Sequence, residues 1–177
     1  SLVINDAPEK KGKWREYFGN DNPIYVEIGC GKGGFLRKNA ETYPDVNFIG
    51  IERQETVVAM AARRADEELP NLAFVWENAS NLSDMFEVGE FQRLYLNFSD
   101  PWPKAKHAKR RLTHRDYLAS CMDILSDRGY IEFKTDNDDL FEFTVEEAEA
   151  MGYTISEMTR DLAVSDYESA GYRTEYE

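Results

Sequence analysis

Apolar residues in this chain come as short runs separated by polar, helix-like stretches. Ile24–Ile28 (IYVEI) reads as a strand that runs straight into a glycine cluster, and Gly34–Tyr43 follows as a helix closed by Pro44. Val46–Glu52 is a second strand. In Gln54–Leu69 the residues Val57, Ala61, Ala65 and Leu69 recur every four positions, one stripe of a helix. Leu72–Trp76 is a third strand and Phe91–Phe98 a fourth. Thr113 and Asp116 have capping-box spacing, opening a helix with Leu118, Cys121, Met122 and Leu125 on one face, and Gly129 stops it. Tyr130–Thr135 is a fifth strand, Asp138–Met151 a helix stopped by Gly152, and Tyr153–Met158 a sixth strand. Ahead of all these, residues 8–18 (PEKKGKWREYF) form a short amphipathic helix ending at Gly19. The alternation predicts βαβ units and an α/β fold, a mostly parallel central sheet with helices on both faces. Residues 1–177 then form a single domain with residues 1–22 as a helical lead-in. Ligands of such sheets bind beyond the carboxyl ends of the strands, which puts the segments after each strand first in line for function.

A length of 177 residues with 42% apolar content supports a sizeable core, and an aromatic content of 13% argues against disorder. The longest stretch free of charge, Leu69–Trp76, has eight residues, too few for a membrane helix. The first apolar stretch, Leu2–Ile4, is too short for a signal peptide. Two cysteines, Cys30 and Cys121, form no CxxC pair, which argues against structural zinc or a disulfide framework and suits a reducing cytoplasm. With 21 basic and 34 acidic residues the net charge is −13, at first sight unsuited to a nucleic-acid partner.

The glycine cluster after the first strand reads Glu27-Ile28-Gly29-Cys30-Gly31-Lys32-Gly33-Gly34. Gly29, Gly31 and Gly34 satisfy the dinucleotide pattern G-x-G-x-x-G, and Glu52 ends the second strand 18 residues after Gly34. A carboxylate there suits the two hydroxyls of a ribose, so the combination points to an adenosine-containing cofactor. NAD and S-adenosyl-L-methionine both qualify on the loop alone. Glu27 tips the balance, because a carboxylate inside the first strand would repel a pyrophosphate and attract the ammonium of a methionine moiety. Asn78, just past the third strand, offers polar groups for an adenine edge.

The fourth strand runs into Ser99-Asp100-Pro101-Trp102-Pro103-Lys104. Two prolines stiffen this loop and hold an aromatic face beside an acid, a natural seat for a planar base. Residues 104–115 then carry six basic side chains and no acid. A charge run is usually a solvated face; this one adjoins the proposed base pocket, reads as a loop and belongs to an otherwise acidic chain, which favours phosphate.

Together, Val26–Gly33 (VEIGCGKG), Phe48–Glu52 (FIGIE), Leu94–Lys104 (LYLNFSDPWPK) with Arg110-Arg111-Leu112, Phe133–Asn137 (FKTDN) and the closing Thr174–Glu177 (TEYE) resemble the bacterial tRNA (guanine-N7-)-methyltransferases. The NFSDPWPK string is highly specific. The resemblance implies a Rossmann-like class I methyltransferase fold and transfer of a methyl group from S-adenosyl-L-methionine to N7 of a guanosine in the variable loop of tRNA. It places Glu27, Glu52, Asn78 and Asp100 at cofactor positions, with Gly29, Gly31 and Gly33 of the glycine turn beside them. Asp100 is also the implied catalytic acid. Lys104, Asp136, Thr174, Glu175, Tyr176 and Glu177 fall at substrate positions, and Lys106, His107, Lys109, Arg110 and Arg111 in an RNA-contacting stretch. No metal and no obligatory protein subunit are implied, and a cytoplasmic monomer or homodimer is expected. Asn78 stands where an Asp is common. The chain starts at Ser1 and stops at Glu177, whereas family members run on to a last strand, so trimming at both ends is expected.

The alternatives are an exocyclic-amino nucleic-acid methyltransferase, an NAD-dependent oxidoreductase, and a non-catalytic RNA-binding module on the same fold. The first would place Asp/Asn-Pro-Pro-aromatic after the fourth strand, whereas this chain has a single Pro before the aromatic. Charge distribution also softens the first objection to RNA: residues 132–177 hold 14 acids and three bases, so the rest of the chain is close to neutral around a basic island at 104–115.

Overall fold

The computed structural model describes residues 3–65 and 69–162. Its five strands are β1 (Ile24–Ile28), β2 (Asn47–Glu52), β3 (Leu72–Trp76), β4 (Arg93–Asn97) and β5 (Tyr130–Lys134). They form one parallel sheet in the order β3-β2-β1-β4-β5. The helices are α1 (Trp14–Phe18), α2 (Gly34–Thr42), α3 (Glu55–Arg64), α4 (Arg115–Ile124) and α5 (Asp138–Ala150).

Strands covered on both faces need apolar residues in both phases of the pleat, which is why they read as nearly unbroken apolar runs. One phase (Val26, Ile49, Ile51, Val75, Leu94, Leu96) packs with Trp14, Phe86, Phe91, Cys121 and Ile124 into one core. The other (Phe48, Phe74, Tyr95) packs with Leu36, Val58 and Ala61 of α2 and α3 into a second. Glu27, Glu52 and Asn97 fall in this second phase at the carboxyl ends of their strands, so the pleat alone brings three polar side chains to one corner of the sheet.

Gly33 is the N-cap of α2, at φ +76°. A Cβ there would sit 2.6 Å from Cζ of Phe74 and 3.1 Å from Cβ of Ala61, and Gly33 does not line the cleft described below. Its role is to let α2 pack against the second core. Gly33→Ala is therefore expected to lower stability by about 2–4 kcal/mol, from a strained φ plus an overfilled contact, read as a fall in the urea midpoint.

The structure departs from the sequence reading at four places. No strand forms at Tyr153–Met158. A strand needs a partner's edge, and Tyr153 is instead tied to helices, its N–H donating to Ala148 O (2.9 Å) and its hydroxyl to Leu118 O. The stretch 8–18 divides into a 3-10 turn at Ala7–Lys10 and α1, with Trp14 fully buried and its Nε1 donating to Met85 O at 2.8 Å. The cap of α4 is His114, whose Nδ1 accepts from the N–H of Asp116; Thr113 is buried against Thr144, their hydroxyl oxygens 2.7 Å apart. Finally, Lys104–Arg111 is no open loop but a 3-10 helix at Ala105–Arg110.

Candidate active site

The strand order reverses between β1 and β4: β2 and β3 lie to one side of β1, β4 and β5 to the other. The crevice above this switch point is where open α/β sheets bind ligands, and here it opens into a cleft of about 1220 Å³. Its lining includes Glu27, Gly29, Gly31, Glu52, Asn78 and Asn97 on one side and Asp100, Trp102, Arg110 and Asp136 on the other.

The glycine turn forms its rim. The N–H groups of Gly29 and Cys30 both donate to Ile51 O, at 2.8 and 3.2 Å, tying the turn to the end of β2. Gly29 (φ +71°) and Gly31 (φ +55°) have no atom within 4 Å of the place a Cβ would take. Side chains there would project into space that the cleft keeps open, so both the backbone geometry and the approach of a ligand call for glycine. Glu52 is held rigidly, with Oε1 accepting from the N–H of Gln54 (3.0 Å) and Oε2 from that of Gly31 (3.3 Å). Each oxygen retains a lone pair for a diol.

The floor is more unusual. Glu27 is buried, and Asn97 Nδ2 donates to its Oε1 at 3.1 Å. Glu27 Oε2 and Asn97 Oδ1 are both buried without a hydrogen-bond partner in the described structure. Burial pushes the Glu27 carboxyl up to about 8, against the lowering influence of Asn97 and of Lys134. Two unpartnered buried oxygens at the ends of neighbouring strands suit a cationic donor from a ligand, which would bind the ionised carboxylate. Asn97 escaped the sequence reading; the clue is a lone amide closing the apolar run Leu94-Tyr95-Leu96. Cys30 faces the same floor, and burial together with Glu27 and Glu52 keeps its thiol protonated.

Across the cleft the Asp-Pro-Trp-Pro loop is strained. Phe98 (φ 53°) and Trp102 (φ 43°) are the non-glycine residues with positive φ among those described, a conformation that costs about 1–3 kcal/mol at each such residue. Asp100 is exposed, and its Oδ2 lies 3.8 Å from Nη2 of Arg53, a second cleft residue the sequence reading did not single out. Trp102 packs edge-on against His107 with ring centroids 5.7 Å apart, and the Arg110 guanidinium lies 5.0 Å from its ring.

The basic island is therefore not uniform. Arg115 is committed to Glu147, which accepts from its Nη2 at 3.0 Å and from its backbone N–H. Arg111 is turned inward onto the Pro-Trp loop. Lys109 and Arg110 line the cleft, while Lys104 and Lys106 are exposed outside it. Asn78 is exposed at the rim, its Oδ1 already accepting from the N–H of Ser80 at 3.1 Å. Asp136 is exposed at the end of β5. Thr174, Glu175, Tyr176 and Glu177 lie outside the described residues. Among those residues no three His, Cys, Asp or Glu side chains converge as a metal site, and no helix is long and apolar enough to cross a membrane.

A parallel sheet in this order, with a glycine turn after β1, an acid closing β2 and an acid-aromatic loop after β4, defines a class I methyltransferase. Solved structures with this fold include an antibiotic-related methyltransferase (TM-score 0.64, 19% identity, covering 89% of this chain and 80% of that one). Another is the precorrin-6y C5,15-methyltransferase of Geobacter metallireducens (TM-score 0.58, 16% identity, 76% and 65%). A family model described as "Putative methyltransferase" matches residues 21–177. The tRNA (guanine-N(7)-)-methyltransferase of Exiguobacterium sibiricum is 48% identical over 178 aligned positions, covering 100% of this chain and 83% of that protein. The enzyme of the same name from Lachnoclostridium phytofermentans is 46% identical over 176, covering 99% and 82%. The chain belongs to the tRNA (guanine-N(7)-)-methyltransferase family.

Proposed function

We propose that this cleft carries out the family's reaction, methyl transfer from S-adenosyl-L-methionine to N7 of a guanosine in tRNA, with the cofactor on the β1–β2 side and the guanine against the Asp100–Trp102 loop. The paired orphan oxygens of Glu27 and Asn97 carry this reading. They suit the ammonium of the cofactor's methionine end and would repel the pyrophosphate of NAD, which removes the support for an oxidoreductase. Glu52 would hold the ribose hydroxyls, and the bare backbone of Gly29 and Gly31 would admit the chain between them. Asn78 would meet the adenine edge through its amide nitrogen, its oxygen being engaged.

The cofactor supplies an electrophilic methyl group on a sulfonium. Everything else is positioning and electrostatics by the chain. Guanine N7 has a free lone pair, so no proton has to leave before attack and no general base is required. Trp102 offers a face for the base. Asp100 stands where positive charge accumulates on the purine as the new bond forms, and Asp136 at the end of β5 would accept from donors on the base edge. Because N7 is enclosed by base pairing or tertiary contacts in folded tRNA, the target has to swing out. Lys104, Lys106, Lys109 and Arg110 would hold the flanking phosphates, with His107 fixing Trp102 edge-on. The variable loop is the proposed target site. We take the protein to act in the cytoplasm without an obligatory partner subunit, as its resemblance to the bacterial enzymes implies.

Incubation with undermodified tRNA and radiolabelled cofactor, followed by nucleoside mapping, should yield 7-methylguanosine as the product. An exocyclic-amino product, or none, would reject the assignment. In the same system the triple variant Lys106→Ala, Lys109→Ala, Arg110→Ala should reduce the salt dependence of tRNA binding by about 2–3 in logarithmic slope.

A further inference from the structure

We infer that Arg111 is a positioning residue, fixing the strained Pro101–Trp102 turn and through it Asp100, rather than a contact to RNA phosphate. The inference rests on the reaction proposed above. Sequence alone counts Arg111 with its cationic neighbours, but the structure turns it the other way. Its Nε donates to Pro101 O at 3.0 Å and to Trp102 O at 3.1 Å, and its Nη2 donates to Trp102 O at 2.9 Å. The guanidinium lies 4.4 Å from the ring of Phe143 in α5, so one face is covered by an aromatic while the edge grips two carbonyls. Those carbonyls flank the residue whose φ is +43°. No β-sheet or α-helix holds this loop, and the next turn of chain, Ala105–Arg110, is a 3-10 helix packed back on Trp102 through His107.

The circuit thus closes on itself. Asp100 begins it, Pro101 and Trp102 form the turn, the 3-10 helix returns, and Arg111 bolts the return to the turn. Only a planar fork with adjacent donors can serve both carbonyls at once and stack on Phe143. A lysine would keep the charge and lose the fork. Loss of a phosphate contact would show in tRNA affinity, whereas loss of the fork's grip on the turn shows in the environment of Trp102.

The decisive comparison is Arg111→Lys against wild type, with methyl transfer, tRNA binding and the environment of Trp102 all measured. In protein labelled with 5-fluorotryptophan, the three tryptophans give separate fluorine resonances, and Trp102→Phe identifies the one of interest. Arg111→Lys should shift or broaden the Trp102 resonance and leave those of Trp14 and Trp76 in place. It should lower kcat at least tenfold, with the Kd for tRNA and its salt slope within twofold of wild type. Phe143→Leu, which loosens the stacking but keeps the guanidinium, should move the same resonance and lower kcat to a smaller extent. An undisturbed Trp102 resonance in Arg111→Lys overturns the inference whatever the activity. So does wild-type kcat, or a lowered kcat accompanied by weaker tRNA binding. If wild-type protein makes no 7-methylguanosine, the reading of the reaction fails, while the resonance still decides whether Arg111 holds the turn.

Discussion

Asp100→Ala is expected to cut methyl transfer by about 10²–10³-fold while cofactor affinity stays within a few-fold of wild type. Transfer moves positive charge from sulfur into the purine, and a carboxylate beside the base gains interaction energy as that happens. Loss of such an interaction shows in kcat and leaves ground-state binding little changed. The site allows a clean test because Asp100 supports little of the fold. Its side chain is 72% exposed and pairs with Arg53 at 3.8 Å, an exposed arrangement of little worth to stability. Asp100→Asn separates charge from shape: it keeps the hydrogen-bonding outline, and should be nearly as impaired as alanine. Single-turnover rates with preformed enzyme and cofactor, set beside a calorimetric Kd, distinguish the two contributions. Turnover at wild-type rate in either variant would remove Asp100 from the chemistry.

The second large effect belongs to Glu27. Glu27→Gln should weaken S-adenosyl-L-methionine by about 10²–10³-fold, the loss typical of truncating one partner of a buried charged contact. A pH signature accompanies it. In the ligand-free protein the carboxyl holds its proton up to about pH 8, because burial outweighs the help from Asn97 and Lys134. A cationic ligand at that oxygen expels the proton. Between pH 6 and 7.5 the affinity of the wild type should therefore rise with pH, by up to about tenfold per unit. Calorimetry in buffers of different ionisation heat should record proton release on binding. The glutamine variant should show neither effect at this group. For folding the sign is opposite. The native carboxyl binds its proton more tightly than the unfolded one, so this group's contribution declines as pH climbs from about 4.5 towards 8. Glu27→Gln should be the more stable protein at pH 8 in the absence of ligand.

Much of this site is legible from the order of residues because it sits on strand ends, where the pleat dictates direction. Once Ile24–Ile28 and Asn47–Glu52 are parallel neighbours covered on both faces, Glu27 and Glu52 have to lie on the same face, and the glycine turn has to pass above them. Strands β1 to β4 declare their burial by apolar runs, whereas β5 (Tyr-Ile-Glu-Phe-Lys) is only half-buried. What escaped was decided by contacts between distant segments. Arg110 and Arg111 are adjacent and chemically identical and both line the cleft, yet one lies over the Trp102 ring while the other is held by the carbonyls of Pro101 and Trp102 and by Phe143, 32 residues further along. Thr113 has the spacing of a cap and loses that place to His114, because Thr144 of α5 takes its hydroxyl. Asn97 gains meaning only beside Glu27, 70 residues away.

The sheet also has a vulnerable margin. Among the described residues β3 is an outer strand of apolar composition, and an uncovered edge there would invite another chain to add on as a strand. Ile4 lies along it, its N–H donating to Phe74 O at 2.9 Å and its carbonyl accepting from the N–H of Trp76 at 2.8 Å. That single bridge consumes the hydrogen-bonding positions nearest the cleft and sets a branched side chain into the core next to Val75. Solubility at high concentration therefore depends on a residue far from any chemistry. Proline at position 4, which cannot donate to Phe74, would unmask the edge and favour self-association while leaving the catalytic groups in place.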